Sequence, residues 1–228
     1  METIYYYEGI SVQNRRSVNM DSLLLKERVI QGTRVCLAVV CDGVGSLEDG
    51  AYAAASAVQM LGNWFENLEE NTQLGPQLYD YVRNINLAVL TKSDRKRMRT
   101  ACTLSCLLLC DGQYYIVHVG DSRIYSSWDS GVQQLTQDQT RGGKLTSAIG
   151  YKKEINILYV EGYCREKQKF LLCSDGLYKR MQPELLAEAF EKANRWNLKK
   201  ALWQLADYVI ERGEGDNISA ALLIYEKR

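Results

Sequence analysis

Hydrophobic and polar residues alternate along many short segments of the chain, which is the pattern of half-buried β-strands. β-Branched and aromatic residues are common in most of these segments. In chain order the strand-like runs are "RVCLAVVC", "CTLSCLLLC", "QYYIVHV", "RIYSSW", "VQQLT", "EINILYVEG", "QKFLLCS" and "NISAALLIY". The pattern therefore predicts a protein with a large content of β-sheet.

Four other segments repeat hydrophobic residues every three to four positions, as one face of an α-helix does. Two of them follow one another in the first half, within 51–68 and 78–89, and two lie near the end, within 183–193 and 198–209. The third begins with a proline, which suits the first turn of a helix. Because the helices come in pairs with the strands grouped between them, the order favours an α+β fold over regular β-α-β alternation.

The composition is that of a globular protein: 228 residues, 46% hydrophobic and 25% charged, with no repeat or proline-rich linker. We therefore predict a single domain over residues 1–228. With 28 basic and 28 acidic residues the formal net charge is zero, so no overall field favours nucleic acid or a membrane surface. The start resembles no signal peptide and the apolar runs are too short to span a membrane. By elimination we expect a cytoplasmic location and no nucleic-acid or membrane partner.

The seven cysteines include no Cys-x-x-Cys pair. Cys102, Cys106 and Cys110 share one face of a strand but lie about 13 Å apart at about 3.3 Å per residue, too far for a disulfide or a shared metal. We interpret them as small core side chains in a reducing compartment. The single histidine, His118, lies in an alternating strand and is predicted to be structural, which also argues against zinc chemistry.

The dipeptide Asp-Gly occurs in two kinds of setting. Asp111-Gly112 separates two strand-like runs by two residues, which is the signature of a tight hairpin. Asp42 and Asp175, each followed by glycine, instead end a strand and lead into helix-forming sequence. The small neighbour lets a ligand approach the backbone closely. Taken alone, each Asp-Gly of this kind is more often a plain turn or a helix cap than a ligand site.

Three more aspartates lie beside strand-like runs: Asp21, Asp121 and Asp216. With one histidine and no usable cysteine cluster, a set of carboxylates suits hard cations such as Mg²⁺ or Mn²⁺. Two such ions about 3.5–4 Å apart can activate a water molecule and bind phosphate oxygens. Spacing alone does not establish that these aspartates converge in space.

The same residues, in the same order, resemble the metal-dependent protein phosphatases of type 2C, and most closely their compact bacterial members. The matching segments extend from Arg16 to Leu223 and are "RRSVNMDS", "VVCDGVGS", "ACTLS", "VHVGDSRIY", "QQLTQDQT", "FLLCSDGLYKRM" and "GEGDNISAALL". Each segment is weak by itself, but the ordered series is specific. The resemblance implies a four-layer αββα sandwich, in which two antiparallel β-sheets pack face to face with a pair of helices outside each.

The resemblance also implies hydrolysis of phosphoserine and phosphothreonine in proteins with two or three Mn²⁺ or Mg²⁺ ions, through a hydroxide that bridges the metals. Asp42 matches the ligand that bridges the two central ions, and the Gly43 carbonyl matches a ligand of the second ion. Asp175 and Asp216 match the remaining ligands of the first ion.

Three further residues match the family pattern around that centre. Asp121 matches a ligand of a weaker third site that shares Asp175. Asp21 is expected to act through metal-bound water, and Arg16 matches the arginine that binds the phosphate. A guanidinium suits that task because its fork of N–H groups is always charged.

The sequence departs from the family pattern at several positions. Met20 precedes Asp21 where the family usually has Glu or Gln, and Ser46 replaces the second of two consecutive glycines. Gln139 stands where histidine is common, and Val44 stands where animal members carry the proposed general acid, which leaves protonation of the leaving group unassigned. Only nine residues, 141–149, separate "LTQDQT" from Gly150, where bacterial relatives generally carry a longer segment, the flap. We therefore expect a shortened flap and a more open site.

Three readings of the function share these residues. The first is a phosphatase that acts, as a monomer, on phosphorylated proteins produced by a Ser/Thr kinase. The second is a catalytically weak regulatory or binding module on the same fold, motivated by Met20 and the flap. The third is a phosphatase specialised for one regulator. A serine hydrolase built on Ser174 is disfavoured because the Gly-x-Ser-x-Gly elbow is missing. The basic run 92–99 is read as a solvated helix end, with a docking patch for acidic partners as the minority view.

Overall fold

Two five-stranded antiparallel β-sheets pack face to face in the computed structural model, which describes residues 3–129 and 131–227, apart from the side chain of Lys96. The first sheet has the strand order β10-β5-β4-β3-β2 and the second sheet has the order β1-β12-β11-β6-β7. The strands are β1 (Thr3–Val12), β2 (Ser22–Ile30), β3 (Thr33–Cys41), β4 (Leu104–Cys110), β5 (Gln113–Val119), β6 (Arg123–Trp128), β7 (Gly131–Gln134), β8 (Thr140–Arg141), β9 (Lys144–Leu145), β10 (Leu158–Tyr163), β11 (Lys169–Cys173) and β12 (Ile218–Lys227).

The helices cover the two outer faces of this sandwich. They are α1 (Gly50–Glu66), α2 (Leu74–Lys96), α3 (Asp175–Tyr178), α4 (Pro183–Lys192) and α5 (Leu198–Glu211). The first pair, α1 and α2, packs on the first sheet, and α4 and α5 pack on the second. The four-layer αββα sandwich expected from the sequence is therefore confirmed.

Strand β3 shows why its sequence is apolar from Val35 onward. Its odd-numbered side chains, from Val35 to Cys41, point into the core beneath α1 and α2. Its even-numbered side chains, from Cys36 to Val40, point into the core between the two sheets. Because successive residues of a strand face opposite sides, a strand with helices on one side and a sheet on the other must be hydrophobic at every position.

The hairpin predicted at Asp111-Gly112 joins β4 to β5, with φ angles of 45° and 76° at the two turn residues. All seven cysteines are free, and Cys102, Cys106 and Cys110 are buried in the core under the first helix pair. Each of these predictions from the sequence is therefore confirmed.

The predicted structural role of His118 is also borne out by its surroundings. The ring is completely buried, its Nε2 donates to the Gly120 carbonyl at 3.0 Å, and its Nδ1 shares a hydrogen bond of 2.9 Å with Ser105. Burial lowers the pKa of His118 to about 4, so the ring is neutral at physiological pH.

Two strands of the sandwich were not predicted from the sequence. Strand β1 pairs with β12 along its whole length, and β2 pairs with β3. The aromatic run at the start of β1, Tyr5 to Tyr7, is the signal that could have located it. No helix in the described part of the chain is long and apolar enough to cross a membrane.

Candidate active site

Strand ends from both sheets bring the predicted carboxylates to one place. Asp42 follows β3 of the first sheet, and Asp175 and Asp216 lie after β11 and before β12 of the second sheet. Asp121 lies in the connection from β5 to β6, where the chain passes between the sheets. These four carboxylates line one cleft of about 800 Å³, together with Gly43 and Arg16. Sequence spacing could not establish this convergence; the face-to-face packing of the sheets produces it.

The backbone around Asp42 is fixed on both sides of Gly43. The Asp42 N–H donates to Thr103 Oγ1 at 3.0 Å, and the Asp42 carbonyl accepts from the Thr103 N–H at 2.8 Å. On the other side, the Val44 N–H donates to the Ala101 carbonyl at 2.9 Å. The Gly43 carbonyl between them receives no hydrogen bond from a residue described by the structure. It is therefore available as an oxygen ligand, as the resemblance implied.

Gly43 also lies against the first residue of α1. A Cβ atom on Gly43 would lie 2.5 Å from the carbonyl carbon of Gly50, and one on Gly50 would lie 2.7 Å from the carbonyl carbon of Gly43. Only two glycines allow the backbones to approach this closely. The contact sets the amino end of α1 beside the Asp42 loop, and the positive end of the helix dipole favours negative charge there. The φ angle of Ser46 is not positive, so serine at the position where the family has glycine does not strain the backbone.

The electrostatics of Asp42 show a site that is short of positive charge. Burial and the negative charges of Asp21, Asp175, Asp121 and Asp216 raise the pKa of Asp42 well above its usual value. Among the residues that the structure describes, none donates a hydrogen bond to this carboxylate. A divalent cation would neutralise the cluster, and carboxylate and carbonyl oxygens are the ligands that Mg²⁺ and Mn²⁺ prefer. The residues present therefore fit the metal ions that the resemblance implied.

Two basic side chains balance part of the negative charge. Arg16 binds Asp216 through two hydrogen bonds, of 2.9 Å from Nε and 2.8 Å from a terminal nitrogen, and Lys179 pairs with Asp175. Burial raises the pKa of Asp216, but the Arg16 hydrogen bonds outweigh it and hold this pKa below its usual value. Within residues 3–129 and 131–227, no three Asp, Glu, His or Cys side chains are arranged, as they stand, to hold a metal ion together. Because Arg16 occupies both oxygens of Asp216, metal binding by Asp216 requires this carboxylate to exchange Arg16 for an ion.

The Arg16–Asp216 pair is weak enough for such an exchange. The Arg16 side chain is 59% exposed and that of Asp216 is 33% exposed. Ion pairs in contact with water stabilise proteins by only about 0–1 kcal/mol because the solvent screens the charges. The same pairing places the guanidinium expected to bind phosphate directly beside a carboxylate expected to bind metal.

Asp21 lies apart from the cleft surface. It is only 8% exposed, and Ser174 Oγ donates to its carboxylate at 2.8 Å while accepting from the Ser219 N–H at 3.0 Å. Burial and the charges of neighbouring carboxylates raise the pKa of Asp21 to about 6. This position agrees with an indirect role for Asp21. The Ser174 hydroxyl is occupied by the hydrogen bonds to Asp21 and Ser219, which argues for a structural role and against a role as nucleophile.

Several residues in or behind the cleft were missed or misjudged by sequence reasoning. Thr103 Oγ1 contacts Ser122 Oγ at 2.6 Å as well as the Asp42 N–H, so it ties the Asp42 loop to the Asp121 loop. Gln139, where the family often has histidine, accepts from the Gly120 N–H at 2.9 Å and supports the Asp121 loop. Lys179 could have been found from its i, i+4 spacing to Asp175, which places the two side chains on one helical face.

The short flap is a hairpin, β8–β9, with a turn at Gly142 and Gly143, whose φ angles are 59° and 73°. Its tip lines the cleft through Gly143, Lys144 and Leu145. The base of the hairpin is held by the Thr146 N–H, which donates to the Gln139 carbonyl at 2.8 Å. Short as it is, the flap therefore places residues beside the substrate cleft.

Comparison with known proteins supports the family resemblance that the sequence motifs indicate. The sequence profile of the family described as "Protein phosphatase 2C" matches residues 8–214. The serine/threonine phosphatase stp of Listeria welshimeri is 28% identical over 218 residues, which are 82% of this chain and 83% of that protein.

Two solved structures show the same fold. Stp1, a serine/threonine phosphatase of Staphylococcus aureus, superposes with a TM-score of 0.87 at 20% identity and covers 100% of this chain and 97% of its own. The catalytic domain of the serine/threonine phosphatase PstP, in complex with two manganese ions, gives 0.85 at 22% identity and covers 99% of this chain and 100% of its own.

The fold, the cleft and the profile together define the class of this protein. It belongs to the protein phosphatase 2C family of metal-dependent serine/threonine phosphatases. The family assignment and the phosphatase function predicted from the ordered aspartate motifs are thus confirmed.

Proposed function

We propose that this protein hydrolyses phosphoserine and phosphothreonine in phosphorylated proteins, with two Mn²⁺ or Mg²⁺ ions held by Asp42, Asp175, Asp216 and the Gly43 carbonyl. The observation that carries the proposal is the convergence of these groups with Arg16 in one cleft, around an Asp42 carboxylate to which no residue described by the structure donates a hydrogen bond. The two manganese ions bound by the related PstP catalytic domain support the two-ion arrangement.

The chain's own residues supply binding and orientation. When bound, the ions supply an activated water and neutralise charge on the phosphate. Arg16 leaves Asp216 and donates two hydrogen bonds to phosphate oxygens, where charge develops during the reaction. Thr103 keeps the Asp42 backbone in position. Asp21, buried behind Ser174, orients water instead of binding an ion directly.

The substrates, location and oligomeric state of the enzyme are proposed from its sequence and its family. The substrates are phosphoproteins made by a Ser/Thr kinase, and the enzyme acts in the cytoplasm as a monomeric single domain with a short flap. A catalytically weak binding module is the poorer proposal, because the cluster around Asp42 disfavours folding unless a cation neutralises it. A module without metal chemistry would be more stable without these aspartates.

Hydrolysis of p-nitrophenyl phosphate and of a phosphothreonine peptide, measured with and without Mn²⁺, tests the proposal. We expect metal-dependent hydrolysis of both substrates, and its loss in Asp42→Asn. Arg16→Ala should lower kcat/KM by about 10–100-fold, the value of lost hydrogen bonds to a charged group. The exposed neighbour Arg15 does not line the cleft, so Arg15→Ala is the matched control and should change little. Full activity in Asp42→Asn would contradict the proposal.

A further inference from the structure

Lys179 is a basic residue of the cleft that pairs with one of the aspartates predicted to bind a third ion. It follows α3 directly, four residues after Asp175, and its ammonium group pairs with Asp175 Oδ2. Lys179 also lines the cleft, and its positive charge lowers the pKa of Asp121, against the larger effect of burial. Asp175 and Asp121 are the two residues that the sequence assigned to a third ion. The ammonium group of Lys179 therefore contacts one of the two carboxylates that such an ion needs and acts electrostatically on the other.

We propose that Lys179 takes the place of the third ion, so that this enzyme binds two divalent ions and not three. The inference rests on the proposed metal centre at Asp42. The ammonium group already supplies positive charge to Asp175 and Asp121, and a dication placed beside it would be repelled. Lysine thus gives the protein a permanent cation where relatives of this type are expected to recruit a metal ion.

The surrounding contacts fix the backbone that carries Lys179. The Arg123 guanidinium lies 3.6 Å above the ring of Tyr178, the residue before Lys179, and binds Asp138 with hydrogen bonds as short as 2.7 Å. The Lys179 N–H donates to the Asp175 carbonyl at 3.0 Å. These contacts fix the backbone of the short helix, so the Lys179 side chain starts from a defined point beside Asp175.

An ordinary i, i+4 pair elsewhere in the chain provides a control. Lys192 pairs with Glu188 on α4 at the same spacing, away from the cleft. If the Lys179 pair were only a surface contact of this kind, removing either lysine would leave the number of bound ions unchanged. If Lys179 replaces an ion, only removal of Lys179 should create a new site.

Counting Mn²⁺ ions by calorimetric titration and by electron paramagnetic resonance of free Mn²⁺ tests this inference without measuring activity. We expect two ions in the wild type, three in Lys179→Met, two in Lys192→Met and two in the double variant Lys179→Met/Asp121→Asn. Lys179→Gln serves as a second neutral variant should Lys179→Met fold poorly.

Each departure from these counts has a defined meaning. Three ions in the wild type, or two ions in both folded Lys179 variants, would overturn the Lys179 assignment and leave the proposed function intact. Binding of no ion by the wild type would overturn the proposed metal centre, and the Lys179 assignment with it.

A second observation concerns the other charged residues that line the cleft. Its acidic residues are the three aspartates of the proposed metal centre and Asp121, and its remaining charged residues are all basic. Of these, Arg99 and Lys144 form no ion pair with any residue described by the structure. Once ions neutralise the aspartates, the charge left on the lining is positive.

The two free cations come from separate elements of the cleft wall. Arg99 lies in the segment between α2 and β4, where its backbone N–H donates to Glu48 Oε2 at 2.9 Å. It continues the basic run at the end of α2, so the positive charge extends outward from the cleft along this segment. Lys144 lies on the flap hairpin. A peptide bound in the cleft can therefore meet positive charge from both elements.

We infer that the preferred substrates carry acidic side chains close to the phosphorylated residue, and that Arg99 and Lys144 recognise them. This inference deepens the proposed function and depends on it. Charge complementarity of this kind accelerates association and selects among substrates, and its effect weakens with salt because the groups are exposed.

Two phosphothreonine peptides that differ only in Glu or Gln at the flanking positions test the inference. We expect the ratio of kcat/KM for the Glu peptide to that for the Gln peptide to be about 10 in the wild type at low salt, and to fall as salt is added. Arg99→Gln and Lys144→Gln should each lower this ratio by about 3-fold, and the double variant should bring it close to 1. Lys200→Gln, on the exposed side of α5, is the matched control and should leave the ratio unchanged.

The outcomes separate this inference from the proposed function. Hydrolysis of both peptides with a ratio near 1 in the wild type, or a ratio that the double variant leaves unchanged, would overturn the acidic preference alone. Hydrolysis of neither peptide would overturn the proposed function as well.

Discussion

At the scale of single residues, burial of negative charge makes the metal-free protein sensitive to pH. Burial and the charge of Asp175 raise the pKa of Asp121 from 3.8 to about 6, although Lys179 partly opposes the shift. Between about pH 4 and 6 the folded state therefore binds more protons than the unfolded state, and its stability falls as the pH rises. Buried His118, with a lowered pKa, changes stability in the opposite direction over the same range.

Comparison with Asp121→Asn cancels the His118 contribution and isolates Asp121. We expect metal-free wild type and variant to have similar Tm values near pH 4, and the variant to be more stable by a few degrees at pH 7. A change of about 1 kcal/mol corresponds to about 2–4 °C in a protein of this size. Thermal unfolding in a chelator across this range measures the difference, and a difference that does not depend on pH would contradict the raised pKa.

Thr103 is predicted to position Asp42 through its hydroxyl group. Thr103→Val keeps the shape of the side chain but leaves the Asp42 N–H and Ser122 Oγ without this partner. A buried polar group that loses its partner costs about 1–3 kcal/mol. We therefore expect Thr103→Val to lower both Tm and kcat, and Thr103→Ser to restore most of kcat. Equal kcat values in the Val and Ser variants would show that the hydroxyl has no positioning role.

Sequence reasoning identified the residues of the site better than their partners. Asp42 could be distinguished from the hairpin residue Asp111 because the segments that follow them differ. The pairing of Arg16 with Asp216 could not be predicted, because the two residues lie 200 positions apart and no local pattern records which strand ends meet. Lys179 was overlooked although its spacing to Asp175 was visible.

At the scale of elements, the glycines of α1 should respond in opposite ways to alanine. In Gly50→Ala the new Cβ would lie 2.7 Å from the Gly43 carbonyl carbon and from the Val44 nitrogen, so the helix must move away from the Asp42 loop. In Gly62→Ala the new Cβ meets only the side chains of Leu24 and Lys26, at ordinary contact distances of 3.6 and 3.9 Å.

We expect Gly50→Ala to lower stability and activity together, because α1 then packs less closely against the loop that carries both Asp42 and Gly43. Gly62→Ala should instead raise the free energy of unfolding by about 0.5–1 kcal/mol, since alanine favours helix over glycine. Denaturant unfolding and phosphatase assays of both variants measure these effects. Wild-type activity in Gly50→Ala would show that the close approach of α1 is dispensable.

Elements buried on both faces were the easiest to predict, and those at the sheet edges were the hardest. Strand β3 is apolar at almost every position, so its hydrophobic run predicts a strand directly. Strands β1 and β2 lie at the ends of their sheets and contain mostly half-buried residues, which dilutes the hydrophobic signal. The two-residue strands β8 and β9 are too short to produce a period.

At the scale of the whole molecule, the proposed metal ions join the two sheets. Asp42 extends from the first sheet, whereas Asp175 and Asp216 extend from the second, so ions held between them bind only the assembled sandwich. A ligand that binds only the folded state stabilises it by about 2.7 kcal/mol at 100 times its Kd. For a chain of this size, that corresponds to a rise of about 5–10 °C in Tm.

Thermal unfolding over a series of Mn²⁺ concentrations therefore measures how far the ions hold the sheets together. We expect the Tm of the wild type to rise with Mn²⁺ and to return to its starting value when a chelator is added. Asp42→Asn should begin with a higher metal-free Tm, because it removes a buried charge, and should gain little from Mn²⁺. The buried charge of Asp42 lowers the stability of the metal-free protein, whereas metal binding to Asp42 raises it. The stability that the charge costs is therefore recovered only when metal binds. An equal rise in Tm for wild type and Asp42→Asn would place the ions elsewhere and contradict this coupling.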